Sequence, residues 1–240
     1  MMSVPQFRRT YAHLLRGNQT LLFVAILSLF IAYPFVGGML KDYGLVDARF
    51  FILLLIAFCS VGLHRRHLLN MTLFAAAFLA IEWVALEGEN TSVYLARQSL
   101  GAAVFLYAAI AICWRVAREE RISFHTISGS LCVYLMIGAV FALLFSMIEE
   151  IHPGSFEWPD TDKIETQGQK FSMLLYFSYT TLTTIGYGDC APVNPNARAL
   201  AILEGLLGQI YLVVLVARIV GLHISQSIEE QARKSAASSG

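Results

Sequence analysis

The sequence predicts an all-α membrane protein: six transmembrane helices, with one short re-entrant helix and a glycine-bearing loop before the last of them. Three observations predict this class. Hydrophobic residues make up 57% of the 240-residue chain and charged residues 14%, whereas soluble domains run at about 45–50% and about 25%. Six stretches approach the ~20 apolar residues that a helix needs to cross a bilayer core. A seventh, "FSMLLYFSYTTLT" from Phe171 to Thr183, is apolar and aromatic but too short to cross, and it runs straight into "IGYGD".

The first span is Leu21 to Met39, with Pro34 as a kink. Arg8, Arg9 and Arg16 before it resemble the charged flank of a signal peptide. The run is long, however, and no small-residue cleavage pattern follows it, so it reads as an uncleaved span. The second is Leu45 to Leu63, with Asp47 and Arg49 at one end. The third is Leu68 to Leu86, the fourth Val93 to Val116, the fifth Ile127 to Ile148 and the sixth Ala199 to Ile224. The chain thus divides into an N-terminal segment (1–20), a four-helix unit (21–126), a unit holding the last two spans and the re-entrant segment (127–224), and a short tail (225–240). The tail, "SQSIEEQARKSAASSG", is expected to be frayed helix or disorder and is too short for a ligand-binding domain.

Lys and Arg orient the spans. Arg8, Arg9, Arg16, Arg65, Arg66, Arg115, Arg118, Arg121, Arg218, Arg233 and Lys234 all fall on one side of a six-span layout. The other side holds Glu87, Glu89, Glu149, Glu150, Glu157, Asp160 and Asp162. Both termini are therefore expected in the cytoplasm, in a multi-pass protein of the cell membrane, plasma or bacterial inner. Trp114 beside Arg115 fits an interfacial anchor.

Net charge is zero, so nothing argues for nucleic acid as a partner. Cys59, Cys113, Cys132 and Cys190 make no C-x-x-C pair, and three of them lie in apolar runs as small hydrophobes. His64 and His67 flank Arg65 and Arg66, a basic loop rather than a metal site. His152 and His223 could sense pH, although lone histidines near an interface are usually incidental. No nucleophile-base constellation and no phosphate loop is present, so the chain does not read as an enzyme.

Irregular backbone at membrane depth is tolerated only when it is buried in protein or lines a water-filled cavity. A half-helix followed by T-I-G-Y-G-D meets that condition if the second part lines a pore. Backbone carbonyls can replace the hydration oxygens of a potassium ion when all face one axis. That arrangement needs alternating dihedrals, some left-handed, which Gly186 and Gly188 visit without penalty. Thr184 adds a hydroxyl below the carbonyls, while Ile185 and Tyr187 point away from the axis and hold the strand in place. The half-helix would aim its negative C-terminal end at the cavity beneath, favouring a cation.

Thr181-x-x-Thr184-x-Gly186-Tyr187-Gly188-Asp189 resembles the signature of the potassium channel family. The resemblance runs from about Ile127 to Ile224 as outer helix, pore helix, filter and inner helix, with Pro192 and Arg198 also familial. It implies a selectivity filter with potassium held at Thr184, Ile185, Gly186 and Tyr187, and with Gly188 completing it. One motif per chain implies a pore formed by a homotetramer in the lipid bilayer. No cofactor is implied beyond K+ as the permeant ion.

Filter support is assigned to Tyr176, Thr180, Thr181, Asp189 and Glu204. Tyr176 and Asp189 would bond behind the outer end of the filter, as aromatic residues do in relatives. Glu204, the only acid within span six, would bond pore-helix hydroxyls such as Thr180. Cys190 is either a tolerated small residue or a thiol at the outer mouth open to soft metals and oxidants. Gly208 is either a hinge or a packing glycine. Gln209, Leu212, Val216, Val220 and Ile224 recur at helical spacing, facing either the pore as an apolar gate or lipid and neighbouring helices.

Six spans suggest a voltage-gated layout, but "QSLGAAVFLYAAIAICW" in span four is uncharged, so steep voltage dependence is not expected. Arg115, Arg118 and Arg121 mingle with Glu119 and Glu120 as a cytoplasmic linker. The acids of the loop before the pore helix, Glu157, Asp160 and Asp162, would raise the local cation concentration. A less selective cation channel and an accessory membrane subunit that uses the pore module only to assemble are the alternative readings.

Overall fold

The computed structural model describes residues 90–119, 123–158 and 167–238, together with Phe74, Ala77 and Ile81. The first two expected spans, the rest of the third, and Pro159, Asp160 and Asp162 lie outside the described residues. From residue 90 onward the described residues form, in order, α1 Thr91–Arg118, α2 Phe124–Ile151, β1 Phe156–Glu157, α3 Gln167–Leu182, β2 Ala191–Pro192 and α4 Pro195–Ser238.

Each helix end has a local cause. Asn90 caps α1 by accepting from the Val93 N–H at 2.9 Å. Arg115 and Arg118 sit in its last turn, against the negative end of the helix. Ser123 caps α2 in a capping box with Thr126. Pro195 occupies the first turn of α4, where its missing N–H costs nothing, and Asn194 accepts from the Asn196 N–H at 2.8 Å.

Among the described residues, three helices are long and apolar enough to cross a membrane: Thr91–Arg118, Thr126–Ile151 within α2, and Pro195–Ala236 within α4. They overlie the fourth, fifth and sixth expected spans. The 16 residues of α3 reach only about 24 Å at about 1.5 Å each, short of the ~30 Å hydrocarbon core. α4 continues past Ile224, the expected end of the sixth span, to Ser238, so the tail is helical, one of its two expected states. Glu229, Glu230, Gln231, Ala232, Arg233 and Lys234 are strong helix formers, and no Gly or Pro intervenes to stop it.

α1 lays one face on α2. Ala102, Phe105, Ala108, Ala109, Ile112 and Val116 pack there with Cys132, Val133, Met136, Ala139 and Leu143. A polar group at the outer end is satisfied across the same seam: Tyr94 Oη and Ser146 Oγ lie 2.7 Å apart, and Gln98 donates to Ser146 Oγ at 2.9 Å. At the inner end Arg218 of α4 donates to the Glu119 carbonyl at 3.0 Å.

A second core lies under the loop after α2. Phe145, Phe156 and Phe177 meet edge to face with centroids 5.1–5.5 Å apart, the geometry that aromatic quadrupoles prefer. Phe141, Leu174, Cys190 and Ala197 complete it. β1 and β2 pair antiparallel, Phe156 opposite Pro192 and Glu157 opposite Ala191. Glu149 holds the turn between α2 and β1 by accepting from the Gly154 N–H at 3.0 Å and the Phe156 N–H at 3.2 Å. The ribbon therefore ties the exit of α2 to the segment that follows the glycine motif.

α4 stands apart. Only 11% of its apolar stretch is buried within the chain, against 56% for α2. Ile202, Leu206, Ile210, Val213 and Val214 are all exposed.

Candidate functional site

Residues 183–189 leave the C-terminal end of α3, and their geometry is set by that end. The Thr183 N–H donates to Tyr179 O at 3.0 Å and the Thr184 N–H to Thr181 O at 3.0 Å. The Thr180 carbonyl then accepts twice, from the N–H groups of Ile185 at 2.8 Å and Gly186 at 3.1 Å. Among the described residues, no carbonyl from 184 to 188 accepts a hydrogen bond. The N–H groups of residues 183–186 are spent on the helix, while the carbonyls of 184–188 stay unpaired.

The dihedrals explain where those acceptors go. Thr184, Gly186 and Gly188 have φ of +60°, +54° and +77°, and Ile185 and Tyr187 between them do not have positive φ. Such an alternation of hand departs from strand geometry, in which successive carbonyls point to opposite sides, and is the backbone pattern that a row of carbonyls facing one side requires. Gly186 and Gly188 adopt this at no steric cost. Thr184 does not: a β-branched residue in the left-handed region is a strained outlier, at about 1–3 kcal/mol. Reading the motif for its glycines misses this third position. Its signal was the every-second-residue spacing of Thr184, Gly186 and Gly188.

Ile185 and Tyr187 are 54% and 71% exposed within one chain. They are not packed away from the carbonyls by this chain's own residues, except that Tyr187 stacks on Tyr176 at 6.5 Å with 3° between the planes. Tyr176 Oη donates to Asp189 Oδ2 at 2.8 Å, and Asp189 Oδ1 accepts from the Cys190 N–H at 3.0 Å. Tyr176, Tyr187 and Asp189 thus form one buttress behind the outer end. Arg198 donates from Nε to Pro192 O at 2.9 Å, fixing the turn into α4.

α3 itself is pinned on both sides. Tyr179 Oη donates to Leu135 O at 2.6 Å, and Tyr134 Oη donates to Leu182 O at 2.8 Å. Glu204 is fully buried behind the helix, but the hydroxyl it meets is Ser178, 2.5 Å from Oε1. Thr180 instead donates to Phe177 O at 2.9 Å. The expected Glu204–Thr180 pairing is corrected on this point: the two hydroxyls are about 200° apart around α3 at about 3.6 residues per turn, and Ser178 is the one facing α4. Thr181 contributes its carbonyl to the Thr184 N–H.

Cys190 turns inward. It is 4% exposed, inside the aromatic core. Burial first, then the Asp189 and Glu149 carboxylates, push its thiol up to about 12. At neutral pH it is a thiol, not a thiolate, and so a poor nucleophile. Gly208 lies where α4 crosses the end of α3: a Cβ there would sit 2.7 Å from Leu182 Cδ1 and 3.1 Å from Leu182 O. Val216, Val220 and Ile224 are exposed in one chain, as are many of their α4 neighbours.

The fold is helical, with three helices among the described residues able to cross a membrane, as a helical membrane channel requires. Residues 129–223 match the family described as "Ion channel". The chain is also similar to the inward rectifier potassium channel Kirbac3.1 of Paramagnetospirillum magnetotacticum, 37% identical over 86 residues, covering 34% of this chain and 24% of that protein. The chain thus spans about a quarter of the length of that relative. The family match covers most of α2, all of α3, the glycine segment and α4 as far as His223, and the two matches point to a channel, not an enzyme.

Proposed function

We propose that the chain is one subunit of a potassium-selective channel that conducts K+ passively through a ring of backbone carbonyls. The carbonyls of Thr184, Ile185, Gly186 and Tyr187 hold the ion, and Gly188 completes the filter. The observation that carries this reading is the alternating hand of residues 184–188 combined with their unpaired carbonyls. The potassium channel relative adds support.

One chain supplies one wall of such a path, so the working unit is a homotetramer. The exposure of Ile185, Tyr187 and the apolar surface of α4 favours this, since neighbouring copies would cover them. The unit sits in the cell membrane with both termini in the cytoplasm. Steep voltage gating is not part of the proposal, because α1 carries no charge from Gln98 to Trp114.

The reversal potential of the purified protein in a planar bilayer tests selectivity, with potassium on one side and sodium on the other. A value near the potassium equilibrium potential is expected. A clear current reversing near zero would replace the proposal with a non-selective cation pore.

The apolar positions Val216, Val220 and Ile224 form the inner constriction in this reading. Val220→Asp then keeps the constriction wetted, and basal open probability rises in single-channel records. An open probability equal to that of the wild type would remove Val220 from the gate.

A further inference from the structure

The buried acid of α4 carries an inference about its own proton. We propose that Glu204 is held as a neutral carboxylic acid that donates to Ser178, so that Ser178 can donate to the Gly138 carbonyl, and that this relay clamps α3 between α4 and α2.

The count of hydrogens leads to it. Ser178 Oγ lies 2.7 Å from Gly138 O and 2.5 Å from Glu204 Oε1. A serine hydroxyl has one hydrogen, a carbonyl oxygen has none, and an ionised carboxylate has none. With Glu204 ionised, two acceptors would compete for one proton, and the losing contact would set two oxygens against each other at hydrogen-bond distance. With Glu204 protonated, each contact has one donor and one acceptor, in the order Glu204, Ser178, Gly138.

The surroundings agree. Glu204 and Ser178 are both fully buried. Glu204 Oε2 has no hydrogen-bond partner among the described residues, which a neutral acid tolerates far better than a carboxylate. Among the described residues, the titratable groups that face Glu204 are Tyr134 from α2 and Tyr179 from α3, both phenols rather than cations. Each donates its hydroxyl to a backbone carbonyl, that of Leu182 or Leu135. On α4 itself, Arg198 is engaged at Pro192 O and Arg218 at Glu119 O.

Ser178 sits two residues before Thr180, whose carbonyl orders Ile185 and Gly186. Ionising Glu204 draws the Ser178 proton away from Gly138 and places an uncompensated charge behind that end of α3. Glu204 is therefore a positioning residue for the filter, and this consequence rests on the channel reading above; the relay does not. Its sign is fixed: the clamp holds at neutral pH and loosens as pH rises.

Infrared difference spectroscopy on the full chain tests the relay without current. Wild type minus Glu204→Gln at neutral pH is expected to show a carboxylic-acid C=O stretching band, and Ser178→Ala is expected to shift that band to higher frequency by removing its acceptor. A difference spectrum with carboxylate bands alone, or an acid band indifferent to Ser178→Ala, overturns the relay. If Glu204→Gln does not fold, the Ser178→Ala comparison with wild type decides by the same shift. In bilayers, steady current should fall at alkaline pH in wild type and lose that dependence in Glu204→Gln. Equal pH profiles overturn the positioning role. An acid band that shifts as stated, in protein that conducts nothing, upholds the relay and sinks the channel reading.

Discussion

On the proposed channel reading, Gly186→Ala is expected to abolish selective potassium current. Gly186 has φ +54° between two residues whose φ is not positive. An L-residue held in the left-handed region costs roughly 1–2 kcal/mol. In the proposed homotetramer, four copies would bring that to roughly 4–8 kcal/mol. The segment already carries Thr184 at φ +60°, and so has little tolerance for a second strained residue. The relief available is for residue 186 to return to the right-handed region. That turns its peptide over and takes a carbonyl off the shared side. In the potassium–sodium bilayer experiment, the expected result is no current or a reversal potential near zero, from protein that still assembles. A variant that keeps the wild-type reversal potential would show that the carbonyl ring is not the filter.

Gly208→Ala lowers the thermal stability of the solubilised protein, and the direction decides between two roles for this glycine. If Gly208 were a free hinge, alanine would stabilise α4 by up to about 1 kcal/mol through helix propensity. Against that stands the contact with Leu182, 2.7 Å from the new Cβ to Cδ1 and 3.1 Å to the carbonyl oxygen. Leu182 has nowhere to go: its side chain is fully buried, and its carbonyl is held by Tyr134 Oη at 2.8 Å. Overpacking of this kind costs about 1–3 kcal/mol, so the clash outweighs the propensity gain in each chain. The measurement is the unfolding midpoint in detergent, alone and after Tyr134→Phe, which frees the Leu182 carbonyl and should reduce the penalty of the alanine. A midpoint equal to or above the wild type would restore the hinge reading.

Much of this was legible along the chain because it depends on composition over a short window. The three helices that can span a membrane overlie expected spans, since hydrophobic length is local information. So is the shortness of α3, and so is the pairing of glycines with a polar motif. The capacity of residues 225–238 to extend α4 was also present in their helix propensities, in keeping with the helical one of the two expected states of the tail.

Other features had no linear signal. α2 and the 199–224 stretch of α4 are largely apolar all round, and such helices offer little polar stripe from which to read their rotation. Ser178 and Thr180 are equally good hydroxyls on paper; the roll of α3 against α4 chose Ser178 for Glu204. Cys190 sits beside a polar motif, yet the β1–β2 pairing turns it into an aromatic core. Thr184 takes a left-handed conformation that its side chain disfavours, because the N–H groups after it are drawn back to Thr180 O. The sequence by itself determined that this is a helical membrane protein with a short non-crossing helix and a glycine-alternating segment behind it. Only the tertiary structure decided which side chains meet, because contacts between uniformly apolar helices depend on their rotation and crossing, which no residue pattern along one helix encodes.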